Sequence, residues 1–315
     1  MKLFDRDGRG AQEVTDALGL ISNRIDFDMW RPILPLGLRD VVAIVGREPV
    51  DVLSEFYLAG CEPTDRCPAM AAEALCYLQQ SVALFTWLKI IPTLDAQHDA
   101  SGRSRRIGEN ETGLTALEQY KDEANILRMA YEAVDALIES LDRNGFEFWT
   151  SSPKYKLRAG LLVRSKEHFD EYYMIGSHRL FLTLLPMIRE VQSSAVVPVV
   201  GRQLLDRMLS GDVDLKQISE LAERAVCLLT MKKAVERLPV EVLPEGIVQV
   251  NQSTPVKQRL KAEKSARDAV VAALSADASY YLQLLEDAVA ELNASGEPVD
   301  FYMPRPLIHS KGLSL

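Results

Sequence analysis

The sequence predicts a mainly α protein made of two tandem, diverged helical repeats. Each repeat is expected to have two long antiparallel helices joined by a small β-hairpin, with short helices in front. Three observations predict this. Long stretches carry apolar residues at three-to-four spacing, the mark of a helix with one buried face. Turn-rich extended stretches separate them. Landmarks of the first half also return in the second half in the same order, and an internal repeat at this scale defines the architecture.

The repeat runs from about Asn23 to Gly145 and again from about Lys166 to Gly296. Phe27-Asp28-Met29-Trp30 opens the first copy and Phe169-Asp170-Glu171-Tyr172 the second. An apolar-periodic segment ends in proline in both, Leu75 to Pro92 and Ala222 to Pro239. The second long segment closes on Gly145 and on Gly296, and an aromatic pair follows each, Phe148-Trp149 and Phe301-Tyr302. The expected division is a first repeat over 1–145, a second over 146–299 and an extended tail over 300–315.

In chain order, Gln12 to Leu18 suits two helical turns. Leu38, Val41, Val42 and Ile44-Val45 predict a short helix ending near Gly46. Pro49 fits the first turn of the next helix, where its missing N–H leaves nothing unpaired. Leu75, Leu78, Val82, Phe85 and Leu88 set the buried stripe of the first long helix. Thr93 to Glu109 reads as extended arms around Asp99-Ala100-Ser101-Gly102. Leu117, Ala124, Leu127, Tyr131, Val134, Ile138 and Leu141 predict the stripe of the next helix, with Gly145 as its stop.

Phe146 to Leu162 reads as extended. In the second copy, Leu243-Pro244-Glu245-Gly246 between Val240-Glu241-Val242 and Ile247 to Val250 reads as a hairpin with a type I turn. A helix from about Pro255 to Asn293 follows, its stripe set by Ala266, Val270, Ala273, Tyr281, Leu284, Ala288 and Leu292, with a kink expected over Ser275 to Asp277.

Composition bounds function. A chain of 315 residues with 47% hydrophobic and 26% charged residues can bury a substantial core. A net charge of −9 argues against wrapping nucleic acid or lying on an anionic membrane; a local nucleic-acid contact stays open. Four cysteines are too few for a disulfide framework. Cys61 and Cys67 are spaced too widely for a zinc knuckle, and Cys76 and Cys227 read as small core residues. The N-terminus shows no secretory signal. The run Val82 to Ile91 is shorter than a bilayer span. The expected compartment is cytoplasmic, and no membrane partner is expected.

No motif for phosphate, dinucleotide, zinc-hydrolase or serine-nucleophile chemistry is present. No cofactor, metal or catalytic residue is expected, and the chain is read as not an enzyme. Asp28 and Asp170 could form a carboxylate pair, but helix-start carboxylates are the ordinary reading. His98, His168, His178 and His309 lack ligand spacing, and His168 reads as a helix-start residue. Basic clusters occur at Arg103, Arg105 and Arg106 in the first hairpin, at Lys154, Lys156 and Arg158, and at Lys257, Arg259, Lys261 and Lys264. The three hairpin arginines are the strongest candidates for a partner contact.

Ile25-Asp26-Phe27-Asp28-Met29-Trp30-Arg31-Pro32 resembles the opening of an uncharacterised family encoded in prophages and mobile elements of gut Bacteroidetes. Phe169-Asp170-Glu171-Tyr172-Tyr173, Ser177-His178-Arg179-Leu180-Phe181 and Leu185-Pro186 resemble its repeated half. The helix–hairpin–helix order is similar in topology to phage head–tail connector (adaptor) proteins. The resemblance implies a phage-derived structural or assembly protein whose partners are portal or neighbouring virion subunits, or further copies of itself, and a virion location. A helical interaction module of a mobile element is the alternative. An enzyme with a cleft between the repeats is a third reading.

Overall fold

The computed structural model describes residues 2–19, 25–99, 102–105, 114–239 and 256–294. Its described part is mainly helical. The chain divides into two compact units, Met1–Lys156 and Leu157–Leu315. The division thus falls after Lys156 rather than after Gly145, because residues 146–156 pack on the first unit. They form two single-turn helices, not the extended segment expected.

The first unit contains α1 (Gly10–Leu18), α2 (Phe27–Trp30), α3 (Leu34–Val45), α4 (Arg47–Leu58), α5 (Ala72–Asp95), β1 (Ala96–Asp99), β2 (Gly102–Arg105), α6 (Ala116–Asn144), α7 (Glu147–Thr150) and α8 (Pro153–Lys156). β1 and β2 pair antiparallel, with Ala96 opposite Arg105 and Asp99 opposite Gly102. α5 and α6 are the main packed pair and run antiparallel. Glu73 at the start of α5 meets Ser140 and Arg143 at the end of α6, at 3.1 and 2.5 Å. α6 begins with a capping box, Thr115 and Glu118 bonding each other's backbone N–H. It ends on Gly145 at φ 58°, a left-handed stop. Pro92 does not end α5. It lies in the last turn, and the helix runs on to Asp95.

α3 crosses α5 at Gly37. A Cβ there would lie 2.2 Å from Thr86 Oγ1 and 2.8 Å from the Val82 carbonyl oxygen, so only glycine permits this approach. Trp30 and Trp87 stack beside the crossing, with centroids 5.7 Å apart. Phe148 and Trp149 are buried on α7, which packs against α4. The Trp149 indole N–H donates to Asp142 at 2.6 Å.

The second unit contains α9 (Lys166–Asp170), α10 (His178–Val191), α11 (Val197–Leu209), α12 (Lys216–Arg237) and α13 (Val256–Ala294). A π-helical turn, Gln192–Val196, joins α10 to α11. α12 and α13 are the main pair, again antiparallel: Arg224 meets Tyr281, Lys232 meets Ser275, and Arg267 bonds the Val235 carbonyl. α13 runs on through Ser275 to Asp277. Its buried residues are Leu274, Ala278, Leu282, Leu285 and Val289, one position round the helix from the expected stripe.

The two units repeat one another, but not in the register expected. Val41-Val42-Ala43-Ile44-Val45-Gly46-Arg47-Glu48 corresponds to Val196-Val197-Pro198-Val199-Val200-Gly201-Arg202-Gln203. The two glycines share a conformation only glycine adopts freely, φ 96° and ψ 165° at Gly46 and φ 72° and ψ 168° at Gly201. Each breaks the helix path at the same point. A 3-10 turn follows in both, Ala69–Ala71 and Val213–Leu215, and leads into the first long helix. Counted from Ala72 and Lys216, the buried Thr86 and Thr230 occupy the same helical position. Phe27-Asp28 and Phe169-Asp170 each lie on the short helix that precedes this stretch, at unequal distances from the two glycines. Asp28 lies at the start of α2, whereas Asp170 ends α9 and accepts from the Ile175 N–H at 2.7 Å.

Two helical stretches, Ala69–Leu94 and His178–Leu209, are long and apolar enough to cross a membrane by length and composition. Both exceed the apolar run read from sequence. In each, 56% of the most apolar stretch is buried inside the fold.

Candidate functional site

A groove of about 710 Å3 lies on the first unit. Its floor is apolar: Phe27 from α2, and Leu34, Leu38 and Val42 from one face of α3. Its rim carries four cations, Lys2, Arg31, Arg39 and Arg47, against one lining carboxylate, Asp5. The N-terminal segment forms one wall. It is held there by its own backbone, since Gln79 donates to the Leu3 carbonyl at 2.6 Å and Ser54 bonds both the N–H and the C=O of Lys2.

The rim cations are loosely committed. Arg31 is 3.3 Å from Asp28 and 4.0 Å from Asp5. Lys2 is 3.9 Å from Asp5 and Arg47 is 4.0 Å from Asp51. Arg39 is exposed and has no ion-pair or hydrogen-bond partner among the described residues. Such exposed pairs hold little energy and exchange readily for another anion. An apolar floor with a cationic rim suits an amphipathic anionic partner on an otherwise acidic chain.

A second cluster lies on the second unit. Ser165 caps α9 by accepting from the His168 N–H. The His168 Nε2 lies 3.1 Å from Glu223 Oε2, and the Tyr172 hydroxyl donates to the same oxygen at 2.8 Å. The Glu223 hydrogen bond raises the His168 pKa above its ordinary value of 6.5, against the opposing effect of burial. Burial, with the Glu223 hydrogen bond adding, pushes the Tyr172 hydroxyl well above its usual range. Arg224 lies over the Tyr172 ring. The adjoining hollow, lined by Arg164, His168 and Glu223, measures about 240 Å3. This arrangement can hold a proton between an imidazole and a carboxylate; Cys227, one turn further along α12, is buried, and burial, with Glu223 adding, holds its thiol well above the ordinary value. No group of three His, Cys, Asp or Glu suited to a metal occurs among the described residues.

The sequence candidates fall out as follows. Arg103 and Arg105 lie on β2, while Arg106 lies outside the described residues. Lys154 and Lys156 sit on α8. Arg158 is no surface cation: it is buried, its guanidinium 5.5 Å over the Phe181 ring. Lys257, Arg259 and Lys261 lie on the first turns of α13, with Lys264 exposed beyond them. Asp28 is exposed beside Arg31, and His178 is buried 3.6 Å from Glu167. His98 lies on β1. Cys227 is buried as expected, but Cys76 is exposed. His309, the tail and the Val240 to Val250 hairpin lie outside the described residues.

The groove escaped the sequence reading because its lining comes from four separate segments. The one legible signal was Arg31, Arg39 and Arg47, spaced about two helical turns apart.

Fold and surface together define a duplicated helical-hairpin protein with a cationic groove on its first half. The chain belongs to a family of unknown function, DUF6712, whose profile matches residues 54–159 and 191–294. The two matched stretches, one in each half, are consistent with the duplication. No curated protein and no solved structure matches the chain.

Proposed function

We propose that this protein is a non-enzymatic structural or assembly subunit of prophage or mobile-element origin, in the manner of a head–tail connector. The supporting observation is the groove: an apolar floor ringed by Lys2, Arg31, Arg39 and Arg47 on a chain of net charge −9. Its occupant on this reading is an acidic, amphipathic segment of a neighbouring virion subunit, which would exchange with the weak rim pairs. The resemblance to a prophage-encoded family and the connector-like helix–hairpin–helix order support the same reading. It includes a hairpin between the long helices of both repeats.

The test is co-expression with phage portal and capsid proteins, followed by size-exclusion chromatography. The wild-type chain should co-elute with a portal-like ring, and Arg39→Glu with Arg47→Glu should lose it while retaining the helical circular-dichroism spectrum. A chain that binds no virion component would overturn the proposal.

A further inference from the structure

The apolar face of α6 is buried over its second half, Val134, Ile138 and Leu141 included, and exposed over its first. Ile126, Ala130, Ala133, Leu137 and Leu141 are buried in the α5–α6 pair. The sequence-predicted stripe begins at Leu117, and its first half is not buried. Leu117 is 62% exposed, Tyr120 54% and Leu127 37%, with Leu114 just before the helix at 53%. These are large apolar side chains gathered within about three helical turns, where scattered exposure would be ordinary. Leu117, Tyr120, Ala124 and Leu127 follow the alternating three-and-four spacing of a coiled-coil seam, Leu117 and Ala124 at a, Tyr120 and Leu127 at d.

The charges beside the seam state which partner fits. On one side, at the e positions, lie Lys121 and Arg128; on the other, at a g position, lies Glu123. All three are exposed. A second copy of the same helix packed antiparallel would set one e row against the other, Lys121 near Arg128, like charge on like. Packed parallel, Glu123 of each copy meets Arg128 of the other. The existing Arg128–Glu132 ion pair is an exposed pair within one helix turn and is weak enough to be shared or displaced.

We infer that the first half of α6 is a self-association surface on which two copies of this chain pair in parallel through Leu117, Tyr120, Ala124 and Leu127. The inference deepens the assembly reading and rests on it. It involves no residue of the cationic groove, so the two can fail separately. A seam of three turns is short, and the pair it makes is a reversible contact of the kind a larger assembly multiplies.

Sedimentation velocity of the full chain, from about 1 µM to about 500 µM, tests it. A concentration-dependent monomer–dimer shift is expected. Leu117→Glu with Leu127→Glu should weaken it by about a hundredfold, since each charge would enter the apolar seam. Glu123→Arg and Arg128→Glu, each alone, should raise the dissociation constant by about threefold to tenfold. The double swap should return it to within about twofold, because the pairing is restored. All these positions are exposed, so an unchanged helical spectrum shows that folding is not at issue.

A chain that stays monomeric throughout overturns the inference, as does a Leu117→Glu/Leu127→Glu variant that associates like the wild type. A swap that weakens association further overturns the parallel arrangement. Loss of portal binding on changing Arg39 and Arg47, with dimerisation intact, would bear on the groove alone.

Discussion

The two units share one sequence of elements yet solve the same packing problem differently. In the first, Gly37 lets α3 press against Thr86 of α5. In the second, the corresponding stretch is a π-helical turn, and Gln192 stands in it with its side chain fully used. The Gln192 Oε1 accepts from the Leu162 N–H at 2.8 Å, and its Nε2 donates to the Gly160 carbonyl at 2.7 Å. The first unit uses a bare backbone approach there, and the second ties its helical turn to Gly160 and Leu162 through a side chain. Duplication kept the helix break at Gly46 and Gly201 and left the contact chemistry free to diverge. The surfaces diverged with it, the first unit bearing the groove and the second the His168–Glu223 pair.

The aromatic stack gives the largest expected difference. Trp30 and Trp87 stack at the first unit's crossing, and Leu184 on α10 and Met231 on α12 are core residues of the second, all but Trp87 almost wholly buried. Trp30→Ala should cost about 3–5 kcal/mol and Leu184→Ala about 2–4 kcal/mol. Urea unfolding followed by circular dichroism measures both. An equal or reversed order would mean that the stack is not the main anchor of the first crossing.

Gln192 comes next. Truncation to alanine leaves the Leu162 N–H buried and unbonded, so Gln192→Ala should destabilise by about 2–3 kcal/mol. Hydrogen exchange at Leu162 should quicken with it. Protection unchanged at that amide would show that the polar bridge is dispensable.

How far sequence could go follows from these same residues. The long helices were legible because periodicity is a local signal, and so were Gly145 and the start near Pro49. The stripe of α13 came out one position round because Tyr281 and Leu284 are only half-buried at the shoulder of the seam, Tyr281 keeping its hydroxyl on Arg224. The first half of α6 was read as buried because spacing alone does not say whether a neighbouring helix reaches that far. The repeat register was present in Val41 to Glu48 and Val196 to Gln203, but a glycine that breaks a helix hides as ordinary punctuation. The groove and the His168–Glu223 pair join residues far apart in the chain, which no local pattern exposes.

The paired threonines sharpen the comparison at a smaller scale. Thr86 Oγ1 donates to the Val82 carbonyl at 2.7 Å, whereas Thr230 Oγ1 is buried with no hydrogen-bond partner among the described residues. Thr86→Val should cost about 1 kcal/mol, and Thr230→Val should be neutral or stabilising by up to about 1 kcal/mol, because an unmet hydroxyl is removed. Differential scanning calorimetry of the two variants decides it, and opposite signs are the expected result.

The smallest effect is set by pH and belongs to the second unit alone. Counted from the start of its long helix, the first unit has Gln79 where the second has Glu223; Gln79 cannot ionise and bonds the N-terminal segment. His168 has a folded pKa raised above 6.5 by Glu223. A raised value means that the folded state binds the proton more tightly than the unfolded chain. The contribution is therefore complete below pH 6.5 and fades as pH climbs through the folded value. His168 is 30% exposed, so water screens the pair and the whole effect should be of order 1 kcal/mol. His168→Gln should destabilise by about that much near pH 6, where the wild-type imidazole is charged, and by less near pH 9, where it is neutral. Gln79→Ala should show no such pH dependence between the two conditions. A His168→Gln deficit that stays constant from near pH 6 to near pH 9 would mean that the contact is held by shape and not by charge.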